Sequence, residues 1–250
     1  MAFIQCHFQS MVLDLNASVN VIIPEDIKEN EKIKVLYLLH GYIGDHTDWT
    51  RLSSIERYVS AYRIAVVMPA VNNSYYTDMI HGLPYYTFMT QELPKFITST
   101  FPVSTQTEDN YICGLSMGGY GAFKIALSPP YPYVKAASIS GALDIEHIRA
   151  LSKEKNRIIQ FESVFGLKST QNTTNDLKYL INLMKKNKVQ SPQLFIGCGT
   201  EDFLHEDNVS FTHFLDQEKI QYTYKESIGN HDWSLWDEYI QIVLKWMFKA

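Results

Sequence analysis

The sequence has few cysteines, no cluster of basic residues and no long apolar run. Cys6, Cys113 and Cys198 are an odd number and lie far apart, which excludes a disulfide framework and a Cys-x-x-Cys motif. Lys and Arg number 22 against 27 Asp and Glu, so a nucleic-acid footprint is not expected at a net charge of -5. No run is apolar enough to span a bilayer, and the first residues lack the pattern of a signal peptide. We therefore expect a cytoplasmic protein with no nucleic-acid or membrane partner.

The composition is otherwise that of a globular protein, with 46% hydrophobic and 20% charged residues. A chain of 250 residues supports one large core better than two small ones, so we expect a single domain over residues 1–250. Apolar, β-branched runs predict eight strands, at residues 3–10, 18–24, 35–39, 64–69, 110–114, 135–140, 193–198 and 221–227. From the third run onward helical segments separate them, at residues 53–62, 84–100, 117–127, 205–218 and 233–248.

The order of these runs predicts an α/β fold built on a mostly parallel sheet of eight strands. The first two runs have no helix between them, which is typical of an antiparallel hairpin at the N-terminal edge. The other strands alternate with helices, which favours helices on both faces of the sheet. Residues 143–190 interrupt this alternation, with helical patterns at 151–165 and 176–186. We expect a small lid-like insertion there, a partial lid or an oligomer surface; a meandering surface excursion is the plainer alternative.

The segment from Gly114 to Gly118 contains the pattern Gly-x-Ser-x-Gly, with Ser116 at its centre. It follows a predicted strand and opens a predicted helix. A serine hydroxyl is a weak nucleophile at neutral pH, so it must be held out of the backbone beside a base. A sharp strand-to-helix turn does this, and the two glycines remove side chains that would clash there. Ser116 is therefore the candidate nucleophile.

A base and an acid follow Ser116 in the chain order that such a site uses, the acid first and the histidine last. Asp202 lies just after the run 193–198, and His231 lies just after the run 221–227. Open α/β sheets place their active sites at the carboxyl ends of strands, so these side chains are expected to meet. His231 would take the proton of Ser116, and Asp202 would orient the imidazole and stabilise its charged form.

Three other carboxylates compete with Asp202 for the role of the acid. Glu201 and Asp232 are the neighbours of the predicted pair, and Asp144 follows the strand predicted at 135–140. A solvated loop residue or a helix N-cap is the plainer interpretation of any one of them. For Glu201 and Asp144 we prefer that interpretation.

Two backbone amides are candidates for an oxyanion hole, which needs donors aimed at the developing negative charge. Met117 follows the nucleophile at a helix N-terminus, where the dipole also favours negative charge. The second donor is expected from the loop after the run 35–39, where we choose Tyr42, with Gly41 as the alternative. His40, at the start of this loop, is expected to be a structural hydrogen-bonding residue.

Aromatic residues near these loops are candidate pocket walls, and we select Trp49, Tyr76 and Trp233 as substrate-binding residues. Core packing is the plainer interpretation of each one singly. Metal sites are not predicted, since the run from His205 lacks the second histidine of His-Glu-x-x-His. The acidic loop beginning at Asp45 is more typical of a helix N-cap than of a cation site.

Taken together, the motifs resemble the esterase D group of the α/β-hydrolases, which includes the S-formylglutathione hydrolases. They are Leu-Leu-His40-Gly41, Gly114-Leu-Ser116-Met117-Gly118-Gly119-Tyr-Gly121, Cys198-Gly-Thr-Glu-Asp202 and Gly229-Asn-His231-Asp-Trp233. The resemblance covers essentially the whole chain and is greatest to the tributyrin esterases of lactic acid bacteria and streptococci.

The resemblance implies an α/β-hydrolase fold and a serine carboxylesterase that hydrolyses short-chain acyl esters, such as tributyrin, without a cofactor. It also implies the Ser116–His231–Asp202 triad, the Tyr42 and Met117 oxyanion hole, and a homo-oligomer, either a dimer or a tetramer. S-formylglutathione hydrolases carry a Cys-Thr-rich loop where this chain has Tyr42-Ile43-Gly44-Asp45, which favours simple carboxylesters. A carbohydrate acetyl or feruloyl esterase, an S-formylglutathione hydrolase and a non-catalytic binding protein of the same fold are the alternatives.

Overall fold

The structure is a computed structural model that describes residues 1–130 and 132–248. Tyr131, Lys249 and Ala250 belong to the predicted domain but lie outside the described residues. One sheet contains eight strands in the order β1-β2-β4-β3-β5-β6-β7-β8. They are β1 (Ala2–Ser10), β2 (Leu15–Ile23), β3 (Lys34–Leu39), β4 (Ile64–Pro69), β5 (Asn110–Leu115), β6 (Lys135–Ile139), β7 (Gln193–Gly199) and β8 (Tyr222–Ser227).

The predicted topology is confirmed. Strand β1 pairs antiparallel with β2, and β2 pairs antiparallel with β4, so the N-terminal hairpin forms one edge. Every pair from β4 through β3 to β8 is parallel. All six residues of β4 are buried, as expected for a strand covered on both sides. The carboxyl ends of β3, β5, β7 and β8 therefore open on the same edge of the sheet.

The helices pack on both faces of the sheet, as predicted. They are α1 (Asp48–Leu52), α2 (Ile55–Val59), α3 (Tyr85–Thr87), α4 (Leu93–Thr100), α5 (Met117–Ala126), α6 (Ile145–Leu151), α7 (Lys155–Phe165), α8 (Leu177–Lys186), α9 (His205–Gln217) and α10 (Trp233–Phe248). One buried apolar cluster holds residues of α5, α7, α8 and α9, and a second holds residues of α1, α2 and α10. No helix among the described residues is long and apolar enough to cross a membrane.

Two predicted helices differ in the structure. The helix expected at 53–62 is found in shorter form as α2, and α1, which was not predicted, precedes it; Ser53, whose backbone is extended, separates the two. The helix expected at 84–100 contains a π-helical turn, Phe88–Glu92, in which the Leu93 amide donates to the Phe88 carbonyl, five residues back. Pro94 comes directly after Leu93 and has no N–H to donate. The helix therefore changes from hydrogen bonds four residues back to one five residues back just before the position that cannot donate.

The insertion is helical but not as predicted throughout. The helix expected at 151–165 is found as α7, which begins later, at Lys155. It is preceded by α6, which was not predicted and which ends at Ser152, where the backbone is extended. Asp144 begins α6 and accepts hydrogen bonds from the amides of Glu146 and His147. The second helix, expected at 176–186, is α8, and the Asp176 carboxylate caps it by accepting from the Lys178 amide.

Candidate active site

Ser116 occupies a sharp turn between β5 and α5. Its backbone has φ 53° and ψ -118°, a conformation that costs energy for any residue but glycine. Neighbouring elements hold it there, since the Ser116 amide donates to the Ile139 carbonyl at 2.9 Å and its carbonyl accepts from the Ala142 amide at 3.1 Å. The turn therefore presents the hydroxyl above the carboxyl end of β5.

A glycine next to the turn allows the backbone to approach closely. A Cβ on Gly118 would lie 2.6 Å from the carbonyl oxygens of Leu39 and His40, which no real side chain tolerates. The first turn of α5 thus packs directly against the end of β3. This contact fixes the loop after β3 beside the nucleophile.

The structure brings Ser116, His231 and Asp202 into one hydrogen-bonded chain. His231 Nε2 lies 2.9 Å from Ser116 Oγ, and His231 Nδ1 lies 3.0 and 2.9 Å from the two carboxylate oxygens of Asp202. An Nδ1–H that donates to the carboxylate leaves Nε2 as the acceptor for the serine hydroxyl. This is the tautomer that a base for Ser116 needs.

Asp202 is buried, whereas the imidazole of His231 is 18% exposed. Burial alone would raise the pKa of Asp202, but the hydrogen bond from His231, the charge of its ring and the Leu204 amide at 2.8 Å bring that pKa below its ordinary value. The carboxylate consequently stays ionised at neutral pH.

Each of the three competing carboxylates has a different partner. Asp144 caps α6, and Asp232 accepts from the amides of Ser234 and Leu235 in the first turn of α10. Glu201 accepts from the Asn230 side chain at 3.3 Å. Asp144 and Asp232 therefore act as helix N-caps, which is one of the plainer interpretations given for them from the sequence.

The loop after β3 is anchored by His40, which is buried. The Val71 amide donates to His40 Nε2 at 3.1 Å, and Nδ1 contacts the Gly41 carbonyl at 2.7 Å. Burial lowers the pKa of His40 to about 4, so the ring is neutral at physiological pH, with Nδ1 as the donor. His40 is thus a structural hydrogen-bonding residue, as expected, and not a second base.

The amides of Tyr42 and Met117 border the nucleophile. A Cβ on Gly41 would lie 3.6 Å from Ser116 Cβ, so the backbone just before Tyr42 passes directly beside the serine. Within residues 1–130 and 132–248, neither amide donates a hydrogen bond to a protein acceptor. Two unused amide donors beside a nucleophile are what an oxyanion hole requires.

Two of the three predicted substrate-binding residues lie in the interior, and that part of the prediction is corrected. Trp49 is 1% exposed, and its indole N–H donates to the Leu39 carbonyl at 3.1 Å. Tyr76 is fully buried, and its hydroxyl donates to the His40 carbonyl at 2.9 Å. Both support the loop after β3 from within, because their polar atoms can satisfy backbone carbonyls there. Trp233 is half-buried, with its ring 5.1 Å from that of Trp49.

Sequence reasoning missed two aromatic contacts of the base. Phe203 is 59% exposed, and its ring centroid lies 4.6 Å from that of His231. Trp236 meets the same imidazole edge-on at 5.0 Å. The position of Phe203, an apolar residue directly after Asp202 in a polar loop, was a usable signal. Trp236 carried none, because a tryptophan in an amphipathic helix is ordinary core.

The insertion reaches the site through α7, although the sequence did not indicate which residues make the contact. The Tyr42 hydroxyl donates to Gln160 Oε1, and the Arg157 guanidinium lies 3.8 Å from the centre of the Tyr42 ring. Tyr75 packs against the Tyr42 ring at 6.0 Å and against Phe165 at 5.4 Å. Such contacts join segments that are far apart in the chain, so no local pattern predicts them.

The described residues contain no group of three or more His, Cys, Asp or Glu side chains that could hold a metal ion. The arrangement consists of a strained serine, a histidine with the correct tautomer, a buried carboxylate and two free amides. Together these groups can add a hydroxyl to a carbonyl carbon and stabilise the resulting oxyanion.

Comparison with known proteins gives consistent matches over nearly the full length. The family model described as putative esterase matches residues 10–246. An acetyl esterase of Caldicellulosiruptor saccharolyticus is 34% identical, covering 100% of this chain and 99% of that protein. Among solved structures, fluorophosphonate-binding serine hydrolase F (FphF) of Staphylococcus aureus superposes with a TM-score of 0.93 at 32% identity, covering 100% of this chain and 99% of that one. The S-formylglutathione hydrolase FrmB of Staphylococcus aureus superposes with a TM-score of 0.89 at 33% identity, covering 98% of each chain.

Proposed function

Because this chain belongs to the esterase family and is a carboxylic ester hydrolase, we propose that Ser116, His231 and Asp202 are its catalytic triad. The observation that carries the proposal is the continuous set of contacts from Asp202 through His231 to Ser116 Oγ. The substrates proposed are short-chain acyl esters, with tributyrin and the p-nitrophenyl esters of acetate and butyrate as the assay compounds.

The reaction proceeds in two halves. Ser116 Oγ attacks the ester carbonyl while His231 Nε2 takes its proton, and the tetrahedral oxyanion accepts from the amides of Tyr42 and Met117. The imidazolium then protonates the leaving alcohol oxygen, the C–O bond breaks and an acyl-enzyme remains on Ser116. His231 next takes a proton from water as the water oxygen attacks the acyl carbon. The imidazolium then returns that proton to Ser116 Oγ as the Oγ–acyl bond breaks and the acid leaves. Asp202 stabilises the charged imidazole in both halves.

Replacement of Ser116 by Ala tests the nucleophile. We expect kcat to fall by about 10⁴ to 10⁶-fold while the fold is retained, since a small polar side chain is removed. A fluorophosphonate probe should label the unmodified protein and not this variant. Near-native turnover by Ser116→Ala would disprove the assignment.

The neighbours His231 and Asp232 give a matched comparison for the base. His231→Ala should lose activity to a similar degree, because the hydroxyl then has no acceptor for its proton. Asp232→Ala removes the cap of α10 and should lower thermal stability with less than about a threefold change in kcat. Equal losses in the two variants would contradict the role given to His231.

S-formylglutathione hydrolysis is the second candidate, favoured by the match to FrmB at 33% identity over 98% of the chain. The same triad can cleave a thioester, so the pocket alone distinguishes the two. A substrate panel containing p-nitrophenyl esters of increasing chain length, acetylated sugars and formyl-glutathione would rank the alternatives by kcat/KM. We expect the short p-nitrophenyl esters to rank first.

We also propose that residues 1–250 act as one domain and that the insertion, 143–190, is a partial lid. The contact of α7 with Tyr42 supports a lid over a purely external surface. The unpaired state of Cys6, Cys113 and Cys198 supports a cytoplasmic location. Assembly into a dimer or tetramer is part of the proposal and can be measured by light scattering.

A further inference from the structure

Helix α7 presents two polar side chains to the loop that carries the proposed oxyanion donor. Arg157 and Gln160 are three residues apart on α7 and therefore share one face of the helix. The guanidinium of Arg157 stacks on the ring of Tyr42, and Gln160 Oε1 accepts the Tyr42 hydroxyl. The Tyr42 side chain is thus held by this face of α7, while the Tyr42 backbone lies beside Ser116.

Neither side chain uses its N–H groups within the part of the chain that the structure describes. Arg157 has five donors and makes no hydrogen bond or ion pair with an acceptor in residues 1–130 or 132–248, although it is half-buried. The amide nitrogen of Gln160 likewise has no protein acceptor among the described residues. By contrast, Arg149, on the same insertion, donates to the carbonyls of Gly166 and Lys168 and pairs with Glu146.

Stacking explains where the guanidinium lies but leaves its planar edge available. A stacked guanidinium keeps its in-plane N–H groups free, and their geometry matches the two oxygens of a carboxylate. The amide of Gln160 adds a neutral donor to the same face. An anion bound at this face would meet both the charge of the guanidinium and the neutral amide donor.

This face lies within reach of an ester held at Ser116. Standard bond lengths place the Tyr42 amide about 9 Å or less from the guanidinium carbon, through the tyrosine ring. A carboxylate bound by Arg157 would therefore be separated from the reacting carbonyl by a chain of only about four to six atoms. Such a spacing is that of a small substrate carrying its own acidic group.

We propose that Arg157 and Gln160 form a carboxylate-binding subsite, so that this esterase prefers esters with an anionic group on the acyl or alcohol part. The proposal rests on the proposed function of Ser116. Binding a carboxylate supplies the acceptor that the half-buried guanidinium lacks in the protein itself. The subsite orients the substrate and takes no part in bond making, so Arg157 is a specificity-determining residue.

Matched substrate pairs test the proposal and distinguish the two sources of the carboxylate. For the acyl side, the p-nitrophenyl half-esters of adipate and pimelate, which have four and five carbons between the two carbonyl carbons, are compared with p-nitrophenyl hexanoate and heptanoate. For the alcohol side, 4-acetoxybenzoate is compared with 4-acetoxybenzamide. The measured quantity is the ratio of kcat/KM for the anionic ester to that for its neutral partner, in the intact protein and in Arg157→Gln.

In at least one pair we expect Arg157→Gln to lower this ratio by about ten- to a hundredfold, the loss typical of a charge-assisted hydrogen bond. Arg157→Lys should retain part of the ratio, because it keeps the charge and loses the planar donors. Arg57→Gln is the control, since Arg57 also lies over a tyrosine ring, that of Tyr58 at 5.3 Å, but is exposed on α2. It should leave every ratio unchanged.

Salt provides a second measurement on the unmodified protein. The kcat/KM for the anionic ester should fall with added NaCl, and Arg157→Gln should remove that dependence. Unchanged ratios in all three pairs, with no salt effect, would overturn the subsite. If instead Ser116→Ala still hydrolyses the neutral esters, the proposed function fails, and the two failures are distinguishable.

Discussion

Asp202 is the residue on which the charge distribution of the site depends. Its two oxygens lie 3.0 and 2.9 Å from His231 Nδ1, and its pKa is held below the ordinary value despite burial. Asp202→Asn would keep the shape but allow the amide to stabilise the wrong imidazole tautomer. We expect kcat to fall by about 10⁴-fold, measured with p-nitrophenyl butyrate. Glu201→Gln, which changes the adjacent carboxylate, should alter kcat less than about threefold; a comparable loss would contradict the assignment of the acid.

Gly118 determines how closely α5 approaches the loop after β3. Any Cβ there meets two backbone carbonyls at 2.6 Å, and backbone cannot move aside as a flexible side chain can. Gly118→Ala should therefore lower the free energy of unfolding by about 1–3 kcal/mol and also reduce kcat, as the loop shifts from Ser116. Urea unfolding and ester turnover measure the two effects. Gly82→Ala is the control, because its Cβ meets only the Met79 side chain, and it should change stability by less than about 0.5 kcal/mol.

Candidate catalytic residues could be selected from the sequence because the reaction chemistry restricts the residue types that can serve. Ser116, Asp202 and His231 were selectable from their types, their order and their positions after predicted strands. Trp49 and Tyr76 were not, because the same aromatic ring suits a pocket wall or a core, and only packing decides. In the structure the polar atom of each side chain is buried and donates to a backbone carbonyl, a contact that marks both residues as core and that the sequence could not reveal.

At the scale of elements, strands were predicted more closely than helices. Strand β4 is found at the predicted residues, because a fully buried strand is an unbroken apolar run with clear ends. Helix boundaries and irregular turns depend instead on single hydrogen bonds, such as the Ser53 hydroxyl donating to the Trp49 carbonyl and the π turn before Pro94. Apolar periodicity continues across such points, so it does not locate them.

The connection between β4 and α3 supports the loop that carries Tyr42. The Asn73 side chain accepts from the Ile43 amide at 2.7 Å, and the Tyr76 hydroxyl donates to the His40 carbonyl. Tyr76→Phe would leave this buried carbonyl without its donor and loosen the loop. We expect kcat to fall roughly tenfold with little change in KM, since the amide position matters most in the transition state.

Tyr85→Phe is the matched control for this support. Tyr85 is the first residue of α3, directly after this connection, and its hydroxyl accepts from the Asn72 side chain instead of bonding to the loop after β3. Its removal should reduce stability without a selective loss of kcat. If both variants lose kcat equally, the effect belongs to the connection as a whole and not to the bond at His40.

At the scale of the whole molecule, burial of ionisable groups links stability to pH. Burial lowers the pKa of His40 to about 4 and that of Lys124 to about 7, so the unfolded chain binds more protons than the folded one. For His40 the stabilisation is complete above pH 6.5 and is lost as the pH falls towards 4. Burial raises the pKa of the Cys113 thiol, which acts in the opposite direction and removes stability above about pH 9.

Lys124 therefore determines how the free energy of unfolding changes with pH between pH 7 and 8.5. Its amino group is buried and donates to Thr77 Oγ1 at 2.6 Å and to Asn175 Oδ1 at 2.7 Å, and no carboxylate of the described residues pairs with it directly. In that interval the free energy of unfolding should rise with pH, approaching about 1.4 kcal/mol per pH unit, because folding releases the lysine proton. Urea unfolding at constant ionic strength measures this slope. Lys124→Met should be less stable at pH 8.5 and should show no such rise; curves that stay parallel in the two proteins would assign the pH dependence to other groups.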